Sequence, residues 1–145
     1  MGKNKLVLWM GIAIMAIALV IIIVPQFTNC TAGGGLVSTA AGKQIPMKCY
    51  WTAHAEIATG IPLFVLGLLL LLSRFKESVR NLSILGIILG IITILLPVLI
   101  IGVCATPVML CVTVMKPLMI TCGAATILAG ILAPISSIRM KEEKA

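Results

Sequence analysis

Apolar residues run almost unbroken through four stretches, 6–24, 51–72, 81–103 and 118–138, with polar and turn-forming residues between them. Each stretch is long and almost wholly apolar, the pattern of a helix surrounded by lipid rather than one resting on a soluble core. At about 1.5 Å per residue the shortest reaches roughly 29 Å, close to the ~30 Å thickness of a hydrocarbon core. The pattern predicts four membrane helices in antiparallel order, an all-α four-helix bundle forming one domain over residues 1–145. Only the second stretch carries charge or imidazole, at His54 and Glu56.

Composition agrees: 61% of the 145 residues are hydrophobic and 10% are charged, which excludes an ordinary soluble domain. The eleven Lys and Arg against four acids do not point to nucleic acid, because they flank apolar spans. Lys3, Lys5, Arg74, Lys76, Arg80, Arg139, Lys141 and Lys144 fall on one side of the threading, and only Lys43, Lys48 and Lys116 on the other. Cations near span ends are retained in the cytoplasm, so both termini are expected there, in a multi-pass protein of the cell membrane. Trp9 and the Tyr50–Trp51 pair lie at the two predicted headgroup levels, where amphipathic rings prefer to sit. The first apolar run exceeds a secretory signal core and is read as an uncleaved span.

This threading places Cys30, Cys49, Cys104 and Cys111 on the outer side and Cys122 just inside the fourth span. Thiols confined to the oxidising side predict a small disulfide-stapled cap. Cys30–Cys49 and Cys104–Cys111 are the favoured pairs, since each closes its own loop, worth roughly 3 and 2.5 kcal/mol in the chain-entropy model. Crosslinking the two loops to each other remains open. A sharper possibility is a copper site, because Met47, Cys49, His54, Met109, Cys111 and Met115 offer soft and imidazole donors near one boundary. No CxxC, HxxxH or MxxM cluster fixes such a geometry, so no metal and no cofactor is assigned. Thiol oxidoreduction coupled to quinone is a second alternative, without the CxxC pair that lowers a thiol pKa.

Glu56 is the only acid within a span, and an intramembrane carboxylate is costly enough to draw attention. It lies near the outer end, where Lys48 or Lys116 could pair with it, and about 200° around the helix from His54. Trp51, His54 and Glu56 are therefore assigned to a polar patch that is structural or meets a partner, and no catalytic residue is assigned. Gly86 and Gly90 form a GxxxG on the third span, with Ala125, Ala129 and Ala133 similarly spaced on the fourth, and small residues let membrane helices approach closely. Pro62, Pro97 and Pro134 each remove a helical hydrogen bond, and kinks are expected there.

The segment Met47-Lys48-Cys49-Tyr50-Trp51-Thr52-Ala53-His54-Ala55-Glu56 resembles the hallmark of a family of uncharacterised small bacterial membrane proteins, a domain-of-unknown-function family. Pro25-Gln26-Phe27, Ile101-Gly102-Val103-Cys104, Cys111 and Lys116-Pro117 extend the resemblance over essentially the whole chain. Tyr50 stands where that family often has histidine, and Cys122 lies outside the shared pattern. The resemblance implies four spans and, from frequent encoding beside ABC-type exporters of the macrolide-exporter class, an accessory role. With no GxxxxGK[ST] phosphate loop, the expected function is non-enzymatic: a small membrane subunit that binds an exporter permease within the lipid bilayer.

Overall fold

Residues 5–29, 36–73, 76–104 and 109–142 are described by the structure, a computed structural model. Four α-helices account for most of them: α1 (Lys5–Thr28), α2 (Lys48–Leu72), α3 (Lys76–Leu95) and α4 (Lys116–Glu142). A small antiparallel hairpin, β1 (Leu36–Ser38) and β2 (Gln44–Pro46), lies between α1 and α2, with Val37 opposite Ile45. Gly42 turns it with φ 74°, the left-handed conformation that glycine adopts without a Cβ penalty. Four helices among the described residues are long and apolar enough to cross a membrane, so the architecture is that of a multi-pass membrane protein. An even number of antiparallel spans puts the starts of α2 and α4 at the hairpin end and the start of α1 and the end of α4 at the other.

Helix limits depart from the sequence pattern where the chain carries its own start and stop signals. Helix α1 continues through Pro25 to Thr28 despite the donor the proline lacks, and the Thr28 hydroxyl donates back to Val24 O at 2.9 Å. Helix α2 starts at Lys48 rather than 51, since Met47 is extended and nothing after it breaks the helix. Pro62 and Pro134 lie inside α2 and α4. Pro97 falls in a π-helical turn, Leu96–Ile100, where Ile101 N and Gly102 N both bond to Leu96 O at 3.1 and 3.2 Å. Widening the turn absorbs the lost donor. Gly102, at φ 79°, then ends the helical path. A second π-turn, Cys111–Met115, leads into α4, so the fourth candidate span begins at Cys111, earlier than the pattern suggested.

The bundle is built as two close pairs, α1 with α2 and α3 with α4. Backbone proximity explains the closeness: a Cβ added at Gly67 would lie 3.1 Å from Gly11 O, and one at Gly130 would lie 3.0 Å from Ser83 O. Of the predicted GxxxG, Gly90 meets α4, whereas Gly86 looks toward Leu66 of α2 at 3.7 Å. The α4 face that receives α3 carries Gly123 and Gly130, and Ala133 of the expected alanine stripe is buried in the core. Ile14, Ala18, Ile21, Leu63, Leu66, Leu70, Met115 and Met119 fill the space shared by the pairs.

Candidate functional site

The first turn of α2 sets the site. Met47 caps it without a side-chain bond and turns the chain inward, so Cys49 is fully buried. Helical spacing of three and four then aligns Cys49, Thr52 and Glu56 on one interior face, all at 0% exposure. Trp51 and His54 leave by the opposite side. Trp51 is 58% exposed, His54 Nδ1 is 3.0 Å from Tyr50 O, and the Tyr50 ring meets Trp51 edge-on at 5.7 Å and His54 at a tilt at 4.3 Å.

Thr52 reaches across to the segment after α3. Its hydroxyl donates to Gly102 O at 2.7 Å, with Lys48 O further off at 3.4 Å. That bond and the left-handed backbone of Gly102 lead the chain back over the start of α2, where Cys104 arrives. The Cys104 thiol lies 3.2 Å from Cys49 Sγ and 3.7 Å from Met47 Sδ. Cys111, buried at the start of its π-turn, completes the group: the Sγ atoms of Cys49, Cys104 and Cys111 all lie within 4.8 Å of one another.

Cys49 is disulfide-bonded, whereas Cys104, Cys111 and Cys122 are thiols. The expected Cys104–Cys111 bond is therefore not formed, although the two sulfurs approach each other. Cys30, and with it the expected Cys30–Cys49 closure, lies outside the described residues. Burial pushes the Cys104 thiol up from its ordinary range, with a hydrogen bond involving the Cys49 backbone pulling the other way and Cys111 adding to the rise. A soft metal ion would need thiolates from this group. A disulfide sulfur is uncharged, so the arrangement as it stands suits sulfur exchange better than coordination. His54 is exposed on the opposite side of α2, so it does not join the group as the expected copper set required.

Glu56 lies two turns deeper. Its Oε2 accepts from Thr59 Oγ1 at 3.3 Å, while Oε1 is buried with no hydrogen-bond partner. The pairing with Lys48 or Lys116 is not made: Lys48 is exposed, and the carboxyl faces the interior. The predicted polar patch is thus divided, Glu56 inside and Trp51 with His54 outside. At the other end of the bundle, a shallow groove lined by Leu69, Leu72, Ser73, Ser78, Asn81 and Leu82 has no titratable side chain.

Two contributors were missed from sequence, Thr52 and Gly102. A glycine near the end of a long apolar run is a helix-stop signal that would have marked the turn, but the pattern kept Gly102 within the third span. Nothing in the sequence connected it with a threonine fifty residues earlier. No curated protein and no solved structure matches the chain. A family model described as a domain of unknown function, DUF4418, matches residues 12–135, and the chain belongs to that family.

Proposed function

We propose that this protein is a membrane-embedded thiol–disulfide exchange protein, working at the outer end of its bundle. One observation carries the reading: a thiol, Cys104, lies 3.2 Å from the sulfur of a disulfide-bonded cysteine, Cys49. Exchange proceeds by attack of a thiolate on a disulfide sulfur, and it needs access and proximity rather than a cofactor. The cation asymmetry supports an extracytoplasmic position for this end, where disulfides persist. The test is a redox titration of the full chain in detergent against glutathione buffers, with acid quench, alkylation and mass mapping. Reversible interchange of cysteine states at a mild potential is expected. A Cys49 disulfide unchanged across the buffers, with Cys104 and Cys111 remaining thiols throughout, overturns the reading.

A second, non-enzymatic reading is favoured by the outward Tyr50–Trp51–His54 patch beside this end. On it, the protein is an accessory subunit whose patch meets an ABC-type exporter permease within the bilayer. Crosslinking in the native host followed by mild-detergent purification tests it. Recovery of the chain without a permease counts against it.

A further inference from the structure

We propose that Glu56 is a proton-binding site inside the bundle, whose carboxyl carries an exchangeable proton on Oε1 while Thr59 holds Oε2. The site is separate from the sulfur group and does not depend on the exchange reading.

Burial is the first observation. Cys49, Glu56, Leu63 and Leu70 follow one another at seven-residue intervals along one face of α2, with exposures of 0, 0, 0 and 2%. Glu56 thus fills a core position of the kind that leucine takes deeper in the same helix. Its hydrogen bonding is thin. A carboxylate offers about four lone-pair sites, yet among the described residues the donor that reaches this carboxyl is the Thr59 hydroxyl, 3.3 Å from Oε2. That hydroxyl has a single hydrogen and also lies 3.0 Å from Glu56 O, so even this bond is shared. Oε1 is enclosed and has no partner among the described residues.

The surrounding elements supply no counter-ion among the described residues. On α1 the polar group near this level is Gln26, which is not titratable and donates its amide to Ala53 O at 3.3 Å, while Lys5 stands at the far end. The charged residues of α3, Lys76, Glu77 and Arg80, lie at its start, toward the opposite end of the bundle, and the Leu96–Ile100 turn has none. Helix α4 brings Cys122, a half-buried thiol that interacts electrostatically with Glu56 and can add only negative charge; its cations Lys116, Arg139 and Lys141 stand near its two ends. Cys111 belongs to the sulfur group at the outer end. On α2 itself Lys48 and His54 are exposed. An ionised carboxyl in a membrane interior is costly unless it is paired. A proton removes that cost without any further ligand. On uptake, a lone pair of Oε1 forms an O–H bond with a proton from water, and the carboxylate becomes a neutral carboxylic acid; on release the same bond breaks and the proton returns to water. Thr59 is a positioning residue, because its hydroxyl occupies Oε2 and leaves Oε1 to take the proton.

Infrared spectroscopy of the full chain in detergent near neutral pH tests the assignment, because a carboxylic acid has a carbonyl stretching band that a carboxylate lacks. The parent should show this band, moved to lower frequency in D2O as O–H becomes O–D. Glu56→Gln and Glu56→Leu should each lose it, with helicity and elution volume measured in parallel to show that the variants fold. Thr59→Val should move the band to higher frequency, since the carbonyl oxygen loses its donor, and Thr59→Ser should return it; a merely structural threonine would leave the band in place. In the unsubstituted chain, a lipid-soluble carbodiimide adds across a carboxylic O–H and should modify Glu56 while sparing exposed Glu77. If the spectra of the parent and of a folded Glu56 variant coincide in this region and the carbodiimide spares Glu56, the carboxyl is ionised and the proposal is overturned. A band unmoved in folded Thr59→Val overturns the positioning role of Thr59 and the assignment of the proton to Oε1.

Discussion

Gly90 and Gly123 face each other across the α3–α4 interface so closely that a Cβ on either would lie 2.9 or 2.8 Å from the other's carbonyl oxygen. The opposing atom is backbone, which cannot rotate away, so relief requires the helices to separate. Gly90→Ala and Gly123→Ala should each destabilise the bundle by about 1–3 kcal/mol. Gly86→Ala meets only the Leu66 side chain, at 3.7 Å, and should be neutral. Thermal melts of the three variants in one detergent measure the contrast.

Glu56 should tolerate loss of its charge better than reversal of it. Gln keeps an acceptor for Thr59, so Glu56→Gln should change stability by less than about 1 kcal/mol. Glu56→Lys puts a cation into the same enclosed interior position and should cost roughly 2.5–3.5 kcal/mol or more. Denaturant titration of both variants is the measurement.

Cys104 should react faster as pH rises. Burial holds its pKa above the ordinary thiol range, so near pH 7 it is protonated and only its small thiolate fraction is nucleophilic. Alkylation by iodoacetamide, followed at Cys104 by mass mapping, should therefore climb about tenfold per pH unit through the neutral range. It should not level off until beyond the pH at which a free thiol does.

The threading has a direct readout. Single cysteines placed at exposed Ala40 and Glu77, in a chain with the native cysteines replaced by serine, lie near opposite ends of the bundle. A membrane-impermeant maleimide applied to intact cells should label Ala40→Cys, and should label Glu77→Cys only after permeabilisation. The reverse result would invert the assignment of the cytoplasmic side.

The helices were legible because lipid imposes a one-dimensional rule, sustained apolarity over a fixed length, which four segments satisfy. Their ends were less so. Pro25 reads as a breaker yet sits inside α1, and Cys111–Met115 reads as loop yet forms a π-turn, because local hydrogen bonding decided each. The sulfur residues were visible as a set, but assigning a Cys104–Cys111 bond to the second loop assumed that this loop stays apart from the start of α2. The Thr52–Gly102 hydrogen bond joins them, and that long-range contact leaves no periodicity to read. Gly90 was recognised and its partner missed, because small-residue spacing does not reveal which rotation of α4 the packing selects.

The division of the bundle into two glycine-closed pairs gives the sulfur group a particular station. Cys49 belongs to the first pair, while Cys104 and Cys111 belong to the second, so the three meet on the seam. A covalent link from Cys49 to either of the others would rivet the two halves together at their outer end, leaving the inner end free to splay.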